Sequence, residues 1–200
     1  MPARADQALR RREIVAAAVD LIAERSVHKL TLRGVAARLG GSVTLITHYY
    51  DSRDALLDDV SAHLARTWKE RAFAVPAQPD DPWSSLRAVL QALLPTTPSQ
   101  LSGERAYFRF VAASDELPAA AALLRRSDRN VRDLLRRQLT PLVPQERLPD
   151  SIDYLKAVLL GITNGACEFG WSRNRQLRTL DLALETVAPL ATTDRSAETT

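Results

Sequence analysis

Cysteine is nearly absent: Cys167 is the only one in 200 residues. A single thiol makes no internal disulfide and no cysteine-based zinc site, and it suits a reducing compartment. Glycine is scarce as well, at seven residues. Runs of β-branched residues are few, whereas Ala, Leu and Arg abound, so the composition points to helices rather than sheets. Histidines number three, and His28, His48 and His63 all fall in the first third of the chain. No Ser/His/Asp order, metal-ligand spacing or Gly-rich phosphate loop accompanies them, so an enzyme, a bound metal and a cofactor are not expected. Long apolar runs are also missing. Ala157 to Ile162 is far too short for a bilayer, which takes about 20 residues. Met1 to Arg12 is polar and basic and does not read as a signal peptide. A cytoplasmic protein with no membrane partner is expected.

What is present is an apolar content of 46%, enough to bury an interior without covalent staples. The net charge of +3 is unevenly placed. Residues 1–50 hold eight Lys/Arg against four Asp/Glu, while the other 150 hold nineteen against twenty. The excess positive charge therefore sits in the first quarter, where a polyanion would be attracted.

Periodicity organises the chain. Ile14, Ala18, Leu21 and Ile22 form one stripe of a helix expected over Gln7 to Arg25. Thr31 is placed to cap a short second helix carrying Leu32, Val35, Ala36 and Leu39, with Gly40 as its stop. Ser42 can cap a third element, Val43 to Tyr49, and Ser52 a fourth that carries Leu57, Val60, Leu64 and Trp68 on one face. The third element is rich in β-branched and aromatic residues and would score as a strand. A lone strand among helices has nothing to pair with, so helix is expected there. Val75 to Pro82 reads as a proline-rich acidic connector. Further helices are expected near Trp83–Leu94, Glu104–Ala113, Leu117–Leu142, Ser151–Ser172 and Arg178–Leu190, with breaks at 95–102 and 140–149. Residues 192–200 are small and polar and read as a disordered tail.

Two short helices around a tight glycine turn, the second polar on its outer face, describe a helix-turn-helix. Such a second helix offers side chains to base edges in a major groove about 12 Å wide. Ser42, Thr44, Thr47, His48 and Tyr49 supply short donors, acceptors and aromatic edges. Arg33 and Arg53 sit at helix starts, where backbone amides and a cation together can hold a phosphate. On these residues alone, a helical hairpin with a solvated face stays equally open.

The same stretch resembles the TetR (tetracycline-repressor-like) family. Arg12-Glu13-Ile14-Val15-Ala16-Ala17-Ala18 resembles that family's opening helix, and Leu30-Thr31-Leu32-Arg33-Gly34-Val35-Ala36-Ala37-Arg38-Leu39-Gly40 its second. His48-Tyr49-Tyr50-Asp51-Ser52-Arg53-Asp54-Ala55-Leu56-Leu57 matches its hallmark of paired aromatics, a Ser and a basic residue before a Leu-rich helix. The resemblance covers about 50 residues. It implies an all-α protein: a three-helix DNA-binding head over 1–55, then a helical-bundle body for ligand binding and dimerisation over 56–191. It implies DNA contacts from Thr31, Arg33, Ser42, Val43, Thr44, Thr47, His48 and Tyr49, a phosphate grip from Arg53, and a packing role for Tyr50. Ser26, Gly41 and Val43-Thr44 depart from the family pattern, which leaves the operator sequence open. The implied partners are a double-stranded, near-palindromic DNA operator, a small apolar or amphipathic effector, and a second copy of the chain. The implied activity is repression relieved by effector. The alternative is a helical ligand-binding dimer or adaptor without sequence-specific DNA binding.

In the body, Ile152, Leu155, Leu159, Ile162, Ala166 and Phe169 follow a bundle spacing, with Val158, Gly161 and Gly165 opposite. Leu177, Leu180, Leu184 and Val187 repeat it in the last helix. So little chain is left to cover both stripes that pairing of the helices near 151–172 and 178–190 with their copies is expected. Trp83, Tyr107, Phe110, Thr163, Asn164, Cys167 and Trp171 are the candidate effector contacts, aromatic or polar neighbours suited to an apolar cavity. Asn164 leads them, because an amide on an apolar helix needs a partner. The six arginines from Arg125 to Arg137 read as a solvated face.

Overall fold

The computed structural model describes residues 4–76 and 81–188. The described residues contain nine α-helices and no strand. These are α1 (Arg4–Glu24), α2 (Leu32–Arg38), α3 (Val43–Thr47), α4 (Arg53–Phe73), α5 (Pro82–Leu93), α6 (Pro98–Val111), α7 (Pro118–Leu139), α8 (Leu148–Phe169) and α9 (Arg173–Val187). A short 3-10 turn, Val27–Lys29, links α1 to α2. The all-α expectation is borne out. Part of the proposed connector, 77–80, and the tail proposed at 192–200 lie outside the described residues.

In the body, three helices begin earlier than their periodicity suggests, and a side-chain cap, a first-turn proline or both mark each start. Thr97 and Gln100 form a reciprocal capping box, and Pro98 occupies the first turn of α6, so the expected break at 95–102 closes after Thr97. Pro149 likewise sits in the first turn of α8, which starts at Leu148 rather than Ser151. Ser172 accepts from the Arg175 amide and starts α9 at Arg173, not Arg178. A proline marks a break only from one side; just inside a helix start it is tolerated, because its missing N–H had no intrahelical partner.

Packing divides the chain into two compact units. The first takes residues up to Thr67 together with Thr97–Arg126. Its core is built from Ile14, Ala18 and Ile22 of α1, Val35 of α2, Ile46 of α3, Leu56 and Val60 of α4, and Phe110 of α6. The second takes Trp68–Thr96 and the residues from Ser127 onward. Its core joins Leu86 and Leu90 of α5, Leu135 and Leu139 of α7, Ile152, Leu155 and Ile162 of α8, and Leu180 and Leu184 of α9. This division follows packing and is not the functional boundary placed at residue 55, since α6 and the start of α7 pack with the head helices.

The stripes expected to pair with a second copy are used at home. Ile152, Leu155, Leu159, Ile162 and Ala166 are all buried within this chain, as are Leu180, Leu184 and Val187. The surface left uncovered is the other side of α8, with Leu160 at 53% exposure, and Leu182 of α9 at 64%. Phe169 also departs from its stripe, at 74% exposure. The two glycines of α8 differ. A Cβ on Gly161 would meet nothing within 4 Å, but one on Gly165 would lie 2.5 Å from the Trp171 ring. Gly165 is needed for that close approach.

Candidate nucleic-acid interface

The head assembles from capped short elements. Thr31 caps α2 as expected: its hydroxyl accepts from the Gly34 amide at 3.0 Å. At the other end, Gly40 turns left-handed (φ +66°) and donates to Ala37 O, while Gly41 donates to Ala36 O. That pair of reversed bonds is the Schellman stop, and it sets the sharp exit toward α3. Ser42 stands at the N-cap of α3, but its hydroxyl makes no capping bond and is exposed.

α3 has five residues and is a helix despite its strand-like composition. Ile46 is fully buried, and Val43 and Leu45 pack partly buried against the head core. Thr44, Thr47 and His48 are exposed on the other side. The β-branched residues thus split between inside and outside at helical spacing, and burial of Ile46 outweighs local propensity. Tyr49 is half-buried, with its ring edge-on to His48 at 5.1 Å between centroids.

Tyr50 lies in the core beneath α3, 1% exposed. Its hydroxyl donates to Asp59 of α4 at 2.7 Å. Burial, with the Asp59 carboxylate beside it, pushes the phenol up to about 12, so it stays protonated and donating at any ordinary pH. Arg11 of α1 lies over the Tyr50 ring, 4.9 Å from its centroid, and donates to Tyr49 O at 3.2 Å. Nothing in the sequence singled out Arg11 or Asp59, because their partners lie 38 and nine residues away and belong to no local motif.

Of the expected DNA contacts, Thr31, Arg33, Ser42, Thr44, Thr47 and His48 are exposed, while Val43 and Tyr49 are partly covered. Arg33 is exposed and has no side-chain partner among the described residues. Arg53 is placed differently. Its Nε–H donates to Leu30 O at 3.0 Å and its Nη2 to Val27 O at 2.8 Å.

The candidate effector contacts do not share one unit. Tyr107 and Phe110 belong to the first, where Phe110 is fully buried in the core. Trp83, Thr163, Asn164, Cys167 and Trp171 belong to the second. There Thr163 and Cys167, one turn apart, are half-buried and buried, whereas Asn164 is exposed beside Leu160 and Gly161. Within a single chain an exposed amide can bond to water, so Asn164 requires no protein partner from its own chain. Trp171 is occupied on one side by Gly165, and its ring also carries the Arg175 guanidinium, 4.0 Å from its centroid.

Comparison with known proteins agrees with this geometry. Residues 14–60 match the family described as bacterial regulatory proteins, tetR family. The chain is 26% identical over 163 residues to the HTH-type transcriptional regulator BetI of Stenotrophomonas maltophilia (strain R551-3), covering 81% of this chain and 83% of that one. Its fold is similar to a transcriptional regulator from Rhodococcus sp. RHA1, with a TM-score of 0.78 at 20% identity, covering 88% and 95% of the two chains. A regulator from Saccharomonospora viridis solved in complex with choline is similar at a TM-score of 0.73 and 20% identity, over 88% and 95%. Among the described residues no helix is long and apolar enough to cross a membrane.

Proposed function

The chain belongs to the TetR family of DNA-binding transcription regulators, and from that premise we propose that it is a homodimeric repressor released from a near-palindromic operator by a small effector. The observation that carries the DNA side is the outer face of α3. Thr44, Thr47 and His48 stand exposed on a helix too short to be stable alone, anchored from below by Ile46. Together with Thr31, Arg33 and Ser42 at the two helix starts, and Val43 and Tyr49 at the margins, they are the proposed contacts to bases and phosphates.

The uncovered surface of α8 and α9, around Leu160, Gly161, Asn164 and Leu182, is the proposed pairing face. Large exposed apolar side chains on neighbouring helices are what a symmetric dimer covers. Two heads would then read half-sites about 34–36 Å apart. Effector coupling works through differential affinity for the DNA-competent dimer, typically about 1–3 kcal/mol. The choline bound by the Saccharomonospora viridis regulator supports an amphipathic effector of that size. Within the second unit, Thr163 and Cys167 keep the strongest case as contacts, while Trp83 packs partly buried against the core as Trp171 does. Asn164 suits the pairing face better, and Trp171, Tyr107 and Phe110 are engaged in packing.

The test is selection from a fluorescent library of random duplexes with the full chain, at several salt concentrations, alongside an Arg33→Ala/His48→Ala double variant. A palindromic motif that the double variant no longer selects is the expected result. Salt-sensitive binding without a motif, unchanged by the substitutions, would leave the adaptor alternative.

A further inference from the structure

A cation at the first residue of a helix faces the positive end of that helix's own dipole and needs a compensating partner. Arg53 is that residue in α4, and its compensation comes from main-chain carbonyls. Val27 O opens the short 3-10 segment and already accepts from the Leu30 amide at 3.2 Å, and Leu30 O follows directly after that segment's end. The side chains of Val27 and Leu30 are buried in the head core, so those two oxygens are pinned. Leu30 immediately precedes Thr31, the cap of α2.

The planar guanidinium therefore bridges the start of α4 to the start of α2 with two bonds of fixed geometry, which a lysine ammonium cannot reproduce. We propose that Arg53 is a positioning residue: it sets where Thr31, Arg33 and the following turn sit, and contributes to DNA recognition through them rather than by gripping a phosphate. Its side chain is only 31% exposed, and Nη1 is directed near Asp54, at 3.7 Å. The carboxylate of Asp54 would itself repel a phosphate at that nitrogen.

The inference rests on the DNA-binding role proposed above, and its test separates the two. In the DNA-free full chain, the Arg53 Nε–H should exchange with solvent about tenfold or more slower than that of Arg33, as measured by NMR. Equal rates would overturn the proposal without any variant. With the selected operator, Arg53→Lys and Arg53→Ala should each reduce operator affinity about tenfold or more, at a temperature where circular dichroism shows full helicity. Binding to unrelated duplex and the salt slope should stay as in the unsubstituted chain. Arg33→Ala should instead weaken all duplexes and flatten the slope by about 0.9 for each phosphate it no longer neutralises.

A merely stabilising role predicts a lower melting temperature with unchanged operator affinity well below it, and that result would overturn the proposal. So would full operator binding by Arg53→Lys, or a weakening in Arg53→Ala that is uniform across sequences with a flattened slope. If no motif is selected at all, the DNA-binding role itself falls and this inference falls with it.

Discussion

The two ends of the chain solve opposite problems. In the head, α2 and α3 are seven and five residues long, below the length at which a helix holds itself together. They persist because a cap, a left-handed glycine, two arginine-to-carbonyl bridges and a buried Tyr50–Asp59 bond hold them from outside. At the other end, α8 and α9 run 22 and 15 residues; left-handed Gly170 and the Ser172 cap mark the junction between them, but length and core packing sustain each helix. Their cost is surface: one side of each fills the core, while Leu160 and Leu182 remain exposed. A short helix relies on its neighbours' side chains to stay helical and leaves its outer face polar and free to contact DNA. A long one leaves apolar surface that suits a second copy.

That contrast can be broken at either end. The largest change is expected from Leu160→Glu with Leu182→Glu, which should convert a dimer to a monomer in analytical ultracentrifugation while leaving helicity intact. A mass unchanged from the parent chain would show that the uncovered surface of α8 and α9 is not the pairing face. At the opposite end, Ile46→Ala removes the fully buried anchor of α3 and should cost about 2–5 kcal/mol in urea unfolding, with operator binding abolished. If the cost were small, α3 would not depend on tertiary anchoring. Gly165→Ala forces a methyl into the Trp171 ring and should destabilise by about 1–3 kcal/mol, against little or no effect for Gly161→Ala on the open side of the same helix. Equal effects at the two glycines would overturn the close approach.

Thr31→Ala should cost about 1 kcal/mol in the same unfolding measurement, because the α2 cap is removed. The smallest effect concerns acid. Lys156 bonds to Asp128 and, with Arg132 nearby, holds its carboxyl below the ordinary value of 3.8. The folded state therefore binds that proton less readily than the unfolded chain. The contribution is complete above about pH 4–5, and it fades as pH falls through the lowered value. Because the pair is partly exposed, Asp128→Asn should flatten the acid side of the stability curve only slightly.

Much of the head is legible in the sequence, because its signals are local. Thr31, Gly40 and Ser52 act within three or four residues of themselves, and a helix stripe such as Ile14, Ala18 and Ile22 reports its own buried side. Helix starts are harder to place where proline obscures the cap, at Pro98 and Pro149. The body is less legible. The periodicity of α8 marks an apolar side, but not whether α5, α7 and α9 or a second copy cover it. Asn164 illustrates the same gap: one position from Thr163 on the helix, it faces water.

Helix class, the order of the elements and the turn between α2 and α3 were determined by sequence alone, since each follows from spacing within a few residues. Three things were decided only by tertiary structure. Burial of Ile46 made α3 a helix against its own propensity, and the chain's own core claimed the stripe of α8 and turned its other side outward. A guanidinium bonded to carbonyls 23 and 26 residues away gave Arg53 its place. In each case the deciding partner is distant along the chain, and local pattern carries no record of which distant group comes to lie within bonding reach.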